Sequence, residues 1–187
     1  MDKGSIRKHI KHLKSLLSET EKHEFSKAVF FKIEQLPIFK TAQRVLLYNS
    51  LPDELPTKDV IERWGLSKQI FLPRVNGLEL EILPYINGQL SVGAYNIEEP
   101  TGNDIYDINA IDTIIVPAVA FDPSGNRVGR GKGYYDKLLA QTDALKIGVV
   151  YDFQIVDTIN SEPHDIKMDI IVSPQQTIII NTKLQSI

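Results

Sequence analysis

Three cations alternate with glycines in one stretch of the sequence, RVGRGKGYYD. Arginine offers a planar fork of donors that suits phosphate or carboxylate oxygens, and lysine offers a mobile point charge that can follow charge developing during a reaction. Glycines let the backbone approach a ligand closely. The stretch therefore predicts a site for phosphate or another polyanion, formed by Arg127, Gly129, Arg130, Gly131, Lys132 and Gly133 and followed by Tyr134, Tyr135 and Asp136.

The surroundings of this stretch predict the order strand, Gly-rich loop, helix. An apolar, β-branched segment from Thr113 to Ala120 precedes it, and a helical pattern continues after it. In that order the amides of the helix N-terminus favour an anion. Neither familiar nucleotide motif matches: G-x-x-x-x-G-K-[ST] needs Ser or Thr where Gly133 stands, and G-x-G-x-x-G lacks the interleaved cations. A Gly-rich basic loop can also be an ordinary solvated turn, but the Arg-x-x-Arg-x-Lys spacing favours an anion site.

Arg127 through Asp136 resembles the signature of the 5-formyltetrahydrofolate cyclo-ligase family, also called 5,10-methenyltetrahydrofolate synthetases. The resemblance spans nearly the whole chain and includes a Lys-x-x-x-Arg pair near the N-terminus, Lys3 and Arg7. It implies an ATP-dependent enzyme that cyclises 5-formyltetrahydrofolate to 5,10-methenyltetrahydrofolate and releases ADP and phosphate. The reaction would pass through phosphorylation of the formyl oxygen.

The resemblance also implies a role for individual residues. ATP would contact Lys3, Arg7, Arg127, Gly129, Arg130, Gly131, Lys132, Gly133, Tyr134 and Tyr135. The reduced folate would contact Asn49, Glu54, Tyr95, Arg130, Gly131, Lys132, Gly133 and Tyr134. Among these, Arg130, Lys132 and Tyr134 would be catalytic. Mg²⁺ would be held by Asp136 and Asp169, whose carboxylate oxygens suit this ion.

Several of these residues also have a purely structural interpretation. Lys3 and Arg7 share one face of a predicted amphipathic helix and can simply be solvated. The same is true of Glu54 in its loop, and Tyr95 can cover the edge of a sheet. Asp136 in the first turn of a helix is favoured by the helix dipole alone.

Composition limits the classes of protein that the chain can represent. Its 187 residues, with 42% hydrophobic and 24% charged, predict one globular domain over residues 1–187. The formal net charge of −3 argues against general binding to nucleic acid or anionic membranes, so the expected partners are small anionic molecules. The chain has no cysteine, which excludes a thiolate nucleophile and fits a reducing compartment. We expect a cytoplasmic monomer without an export or membrane-anchoring signal.

Apolar strands that alternate with helices predict a three-layer α/β/α domain with a mainly parallel central sheet. Asn76-Gly77 and Asn87-Gly88 are hairpin signals, so a small antiparallel excursion is expected from about Gln69 to Val92. Further local expectations are a capping box at Ser18–Glu21, a Thr57 cap on a helix from Lys58 to Trp64, and a short helix from Phe153 to Ile159.

Two other functions remain compatible with an anion-binding loop on such a sheet. One is a non-catalytic binder of phosphorylated metabolites, and the other is a sugar-phosphate isomerase. An isomerase needs a general base beside the α-carbon of its substrate, whereas a folate site needs a long groove with an aromatic face. Phosphate release from ATP, with and without folate, separates these possibilities.

Overall fold

The computed structural model describes residues 2–181 and residue 184. The described helices are α1 (Lys3–Lys14), α2 (Glu19–Gln35), α3 (Pro37–Thr41), α4 (Lys58–Trp64) and α5 (Tyr134–Leu139). The described strands are β1 (Arg44–Leu46), β2 (Gln69–Asn76), β3 (Glu79–Pro84), β4 (Leu90–Val92), β5 (Glu98–Pro100), β6 (Thr113–Pro117), β7 (Ala120–Phe121), β8 (Arg127–Val128), β9 (Leu145–Val149), β10 (Ile170–Val172) and β11 (Thr177–Ile179).

Seven strands form the central sheet, in the order β11-β10-β9-β6-β1-β2-β3. The five inner strands are parallel, and the edge strands β3 and β11 each run antiparallel to their neighbour. The carboxyl ends of the parallel strands therefore share one edge of the sheet, which is where ligands bind in open α/β sheets. This confirms the predicted α/β class with a mainly parallel sheet.

Both faces of the sheet are covered because successive apolar residues of its strands point to opposite sides. In β6, Ile115 joins a core cluster with residues of α2, α3 and α4. Its neighbours Ile114 and Val116 join a second cluster with Leu138 and Leu139 of α5. Helices thus lie on both sides of the sheet, as the predicted three-layer arrangement requires.

The hairpin at Asn76-Gly77 and a small antiparallel excursion are confirmed, but the expected extent of the excursion, Gln69 to Val92, needs correction. Strand β2 is a member of the central sheet and pairs in parallel with β1, while β3 pairs with β2 in antiparallel register. Strand β4 instead pairs with β5 in a separate two-stranded sheet. Alternating patterns identified the strands, but they carry no information on which neighbour each strand pairs with.

The path from β6 to the Gly-rich stretch also differs from the predicted strand, loop, helix order. The chain first makes a short hairpin, β7–β8, which is closed by a turn around Asp122. The Asp122 carboxylate accepts hydrogen bonds from the backbone N–H groups of Ser124, Asn126 and Ile159. Arg127 therefore lies in a strand, and the loop proper begins at Gly129. Each strand of the hairpin has two residues, too few to show a periodic pattern.

Local capping explains where some helices begin. The capping box of α2 is confirmed, because the Ser18 and Glu21 side chains each accept the other residue's backbone N–H. Thr57 is the N-cap residue of α4, as predicted, but its side chain makes no capping hydrogen bond, because its hydroxyl donates to the carbonyl of Tyr48 instead. In place of a helix from Phe153 to Ile159, only Asp152–Gln154 form a short 3₁₀ turn. Within residues 2–181 and 184, no helix combines the length and apolar character that crossing a membrane requires.

The hairpin is held on the sheet by Phe121, which is fully buried against Gly148 of β9. A Cβ atom added at Gly148 would lie 2.5 Å from Cζ of the Phe121 ring. Because both residues are in the core, neither the ring nor the strand has space to move away. The glycine at this position is therefore required by the close approach of the hairpin that leads into the Gly-rich loop.

We expect Gly148→Ala to lower the free energy of unfolding by about 1–3 kcal/mol, the usual cost of overpacking a core. Urea denaturation measures this change. The double variant Gly148→Ala/Phe121→Leu should lose less than the sum of its two single variants, because a smaller side chain leaves space for the added methyl group. Full additivity of the two changes would contradict the packing argument.

Candidate active site

The Gly-rich loop, residues 129–133, connects β8 to α5 at the surface of the domain. Gly131 and Gly133 have φ angles of +96° and +71°, a region that side chains with a Cβ rarely adopt. Lys132 lies between them, is exposed, and makes no hydrogen bond or ion pair with any residue that the structure describes. The loop thus presents an unpaired ammonium group between two glycines, which suits an external anion.

Arg127 is enclosed beneath this loop. Its Nη2 donates to Oδ1 of Asp136 at 2.6 Å, and its guanidinium faces the Tyr135 ring at 5.8 Å. A Cβ at Gly129 would lie 2.9 Å from Arg127 Nη1, so the guanidinium packs directly against the loop backbone. Because Arg127 is buried and paired, this arrangement supports a role in holding the loop on α5.

The acidic loop, residues 49–57, follows β1 at the carboxyl edge of the sheet. Its backbone is fixed by side chains from several elements, since carbonyl groups of the loop accept hydrogen bonds from Lys22, Ser26, Tyr48 and Tyr151. Burial raises the pKa of the Tyr151 hydroxyl, which keeps this donor protonated. The backbone of the acidic loop is therefore anchored to several elements of the fold.

The two loops meet through Arg130. Its Nε and Nη2 donate to Oε1 of Glu54 at 3.1 and 3.0 Å, and Nη2 also donates to Oδ1 of Asp53 at 2.6 Å. The other oxygen of Glu54 accepts the backbone N–H of Leu51, so this carboxylate is held at both oxygens. Arg130 Nη1 makes no hydrogen bond within the described part of the chain, and its donors remain available for a ligand.

Lys14 completes this group of charges from beneath the acidic loop. Its Nζ lies 3.5 Å from Oδ2 of Asp53, and its side chain is only 4% exposed. Burial raises the pKa of Asp53, but Lys14 and Arg130 outweigh that effect and hold the pKa below its ordinary value. Two carboxylates, Asp53 and Glu54, thus stand between two cations.

Helix α1 places Arg7 on the Gly-rich loop but Lys3 on a different segment. Arg7 Nε donates to the Gly129 carbonyl at 2.8 Å, and a Cβ atom added at Gly131 would lie 3.8 Å from Cζ and Nη2 of Arg7. Lys3 instead pairs with Asp165 at 2.7 Å and Glu162 at 3.5 Å. The structure therefore brings Arg7 to the predicted anion site and leaves Lys3 at its margin.

Two tyrosines line the outer wall of the site. The hydrogen bond between the Tyr95 and Tyr134 side chains raises the pKa of Tyr134, and the Tyr134 hydroxyl also reaches the Gly77 carbonyl at 3.3 Å. Tyr95 is 53% exposed and has a φ of +58°. Asn49 donates to the carbonyl of Glu98, near Tyr95, which brings the tyrosine's segment to the acidic loop. The arrangement provides an aromatic surface beside both loops.

The structure does not bring Asp136 and Asp169 together. Asp136 is on α5 and is paired with Arg127, and its Oδ2 accepts no hydrogen bond from the described residues. Asp169 precedes β10 at the amino edge of the sheet, where its oxygens accept the backbone N–H of Lys146 and the amide of Asn181. Among the described residues, no cluster of three metal-binding side chains occurs. Asp136 is therefore the carboxylate of this pair that fits a metal bound at the loop.

Lys14, Tyr48 and Tyr151 were not predicted to belong to the site. A signal for Lys14 was present, because it continues the buried row of Ile6 and Ile10 at four-residue spacing. A lysine in an apolar row needs a charged partner. The two tyrosines gave no such signal, since a tyrosine in an apolar segment is typical of a core.

Sequence comparison identifies the family to which these features correspond. The sequence model of the 5-formyltetrahydrofolate cyclo-ligase family matches residues 1–174. A probable 5-formyltetrahydrofolate cyclo-ligase of Caenorhabditis elegans is 27% identical over an alignment of 198 positions, gaps included, which covers 96% of each chain. The 5-formyltetrahydrofolate cyclo-ligase of Escherichia coli K12 is also 27% identical, over 89% of this chain and 97% of its own.

Structural comparison agrees with the sequence match. The NMR structure of Aquifex aeolicus 5,10-methenyltetrahydrofolate synthetase superimposes with a TM-score of 0.88 and 34% identity, over 96% of this chain and 93% of the other. A 5,10-methenyltetrahydrofolate synthetase from Mycoplasma pneumoniae superimposes with a TM-score of 0.76 and 26% identity, over 93% and 99% of the two chains. The agreement of motif, fold and full-length similarity shows that the chain is an enzyme that belongs to the 5-formyltetrahydrofolate cyclo-ligase family.

Proposed function

We propose that this enzyme uses ATP to cyclise 5-formyltetrahydrofolate to 5,10-methenyltetrahydrofolate, with release of ADP and phosphate. The observation that carries the proposal is the contact between Arg130 of the Gly-rich loop and Glu54 of the acidic loop. An anion-binding loop and a carboxylate that can orient a folate ring thus lie side by side. Family membership supports the same reaction, since the relatives are named for it.

The proposed chemistry needs activation of a poor leaving group. A lone pair of the formyl oxygen forms a bond to the γ-phosphorus of ATP as the bond to ADP breaks, and the N5 lone pair forms a C=N bond as the C=O bond becomes a single bond to the phosphorylated oxygen. N10 then attacks the formyl carbon, the C–O bond breaks with release of phosphate, and N10 loses its proton. This sequence requires no protein nucleophile, in agreement with a chain that contains no cysteine. Positioning and charge neutralisation are then the main contributions of the protein.

Each loop supplies a different part of that contribution. Lys132 has no protein partner in the described structure and can approach the transferring phosphoryl group. Arg130 holds the carboxylates through Nε and Nη2 and retains Nη1 for an oxygen of either substrate. Glu54 orients the folate, while Tyr95 and Tyr134 form the wall beside it. Arg7, Lys3 and the backbone of the Gly-rich loop bind the ATP phosphates.

Mg²⁺ fits this site through Asp136, because the ion commonly takes one or two carboxylates and completes its shell with phosphate oxygens and water. Bound there, the ion would neutralise phosphate charge. Asp169 does not fit, since both of its oxygens accept hydrogen bonds from the protein at the amino edge of the sheet. We further propose that the chain acts as a single-domain cytoplasmic monomer, and its lack of cysteine agrees with a reducing compartment.

The test of the proposed function is a spectrophotometric assay of methenyl-folate formation from 5-formyltetrahydrofolate with ATP. Product should form only with ATP, and ADP should appear in equal amount. Failure to form product under all conditions would overturn the proposal.

In the same assay, Asp136→Asn should raise the Mg²⁺ concentration needed for half-maximal rate, and Asp169→Asn should not. Product formed after complete chelation would remove the metal from the mechanism.

Lys132→Ala should lower kcat about 100- to 1,000-fold, the usual cost of removing one group that stabilises transition-state charge. The melting temperature should stay near that of the wild type, since the side chain is exposed and unpaired in the described structure. Lys8→Ala, which removes an exposed lysine of α1, is the matched control and should keep full activity. A kcat within a factor of two of the wild type in Lys132→Ala would exclude this lysine from catalysis.

Glu54→Gln should raise the KM for folate about tenfold or more, as expected when a charge-assisted hydrogen bond is lost, while the KM for ATP changes little. Arg7→Ala should show the opposite pattern. Lys3→Ala should follow Arg7→Ala with a smaller effect, because Lys3 already pairs with Asp165. Calorimetric titration of each ligand checks the assignment, and a loss mainly of ATP affinity in Glu54→Gln would reverse the roles of the two loops.

A further inference from the structure

Lys14 is a buried charge at the end of α1 that the proposed mechanism does not use. It occupies the position in the helix where the buried row of Ile6 and Ile10 continues, and its side chain is 4% exposed. Burial of an ammonium group costs free energy, and replacing a whole buried ion pair by apolar residues of similar size is often neutral or stabilising. The lysine therefore calls for an explanation other than stability.

The groups that face Lys14 belong to the acidic loop and its supports. The charged groups are Asp53, Glu54 and Arg130, and the neutral polar groups at the small cavity beside it are Tyr48 and Gln154. That cavity has a volume of about 10 Å³, no more than one water molecule needs. No part of a folate or nucleotide fits between Lys14 and the loop, so Lys14 acts only through its protein neighbours.

Lys14 and Arg130 hold opposite oxygens of one carboxylate. Lys14 Nζ faces Oδ2 of Asp53 at 3.5 Å, while Arg130 Nη2 donates to Oδ1 at 2.6 Å. The same Nη2 also donates to Glu54 at 3.0 Å. A shift of Asp53 therefore moves Arg130, and with it the hydrogen bonds to the carboxylate proposed to orient the folate.

Helix geometry links this contact to the Gly-rich loop. Lys14 and Arg7 are seven residues apart, about two turns, so they lie on nearly the same side of α1 and about 10 Å apart along its axis. Arg7 holds the Gly129 carbonyl, and Lys14 holds Asp53. One helix thus contacts both loops and fixes their separation.

We propose that Lys14 is a positioning residue for folate binding, which fixes Asp53 and thereby the placement of Arg130 and Glu54. This inference rests on the proposed function, and it assigns to the folate half of the site a residue that touches neither substrate. It separates two roles within α1, because Arg7 acts on the phosphate side and Lys14 on the folate side.

Lys14→Met tests the proposal, because methionine keeps the unbranched stem and removes the charge. Its KM for 5-formyltetrahydrofolate should rise about tenfold, the loss expected for a charge-assisted contact, with little change in the KM for ATP. Its midpoint of urea denaturation should stay close to that of the wild type, because Asp53 is partly exposed and keeps Arg130 as its partner. Lys14→Arg should restore most of the folate affinity, and Lys11→Met, an exposed lysine of the same helix, is the matched control.

The pH dependence supplies a readout that a purely structural role does not change. Burial lowers the pKa of Lys14, against the opposing effect of Asp53 and Glu54. Lys14 therefore loses its charge as pH rises through that lowered pKa. The ratio of folate KM in Lys14→Met to that in the wild type should fall towards one at alkaline pH. Burial raises the pKa of the Tyr48 and Tyr151 hydroxyls, so both stay protonated at the pH values at which Lys14 loses its charge.

The possible outcomes separate this inference from the proposed function. No methenyl product from the wild type overturns the proposed function and this inference with it. Normal wild-type turnover with an unchanged folate KM in Lys14→Met overturns only the role of Lys14. If Lys14→Met does not fold, Lys14→Arg and the wild-type pH profile decide. An alkaline rise in the wild-type folate KM that persists unchanged in Lys14→Arg also overturns the role, since arginine stays charged.

Discussion

The contact of Arg130 with Glu54 and Asp53 is the interaction on which the rest of the site depends. These charged contacts join the Gly-rich loop to the acidic loop, the two loops whose charged residues we assign to substrate binding. They lie at the carboxyl edge of the sheet. Both carboxylates belong to a loop whose carbonyl groups accept hydrogen bonds from side chains of α2 and from the hydroxyls of Tyr48 and Tyr151. The arginine comes from the other loop, which follows the hairpin β7–β8. Elements distant in sequence thus act on a single guanidinium group.

Charged residues of this chain divide into those that hold the site together and those that face outward. Arg127 and Asp136 are neighbours of Lys132 in the motif, yet Arg127 is buried and bonded while Lys132 is exposed and unpaired in the described structure. The same division separates Asp136 from Asp169, whose oxygens are both occupied by protein donors. A motif records which residue types are present, whereas burial and pairing decide which of them can meet a ligand.

The sequence was sufficient to predict the α/β class, the strands with clear apolar patterns and a Gly-rich basic loop directly before a helix, because each depends on local patterns. It was not sufficient for the pairing of β2 with β1 or for the hairpin β7–β8, which depend on tertiary contacts such as Phe121 against Gly148. Glu54 and Arg130 are 76 residues apart, so no spacing rule connects them, and only the family resemblance named both. The four-residue spacing of Lys14 from Ile10 was visible, but its partner Asp53 was not.

The helix α1 has a consequence for how the protein reaches its native state. Its contacts with the acidic and Gly-rich loops join residues 39 and 122 positions apart, although the helix itself is local. Closing the longer chain segment costs about 1 kcal/mol more than closing the shorter one if entropy grows with the logarithm of loop length. During synthesis α1 is made before either loop, and its Arg7 contact cannot form until residue 129 has been added. Arg130, which joins the two loops, follows residue 129 directly, so both halves of the site are completed only when the Gly-rich loop is in place.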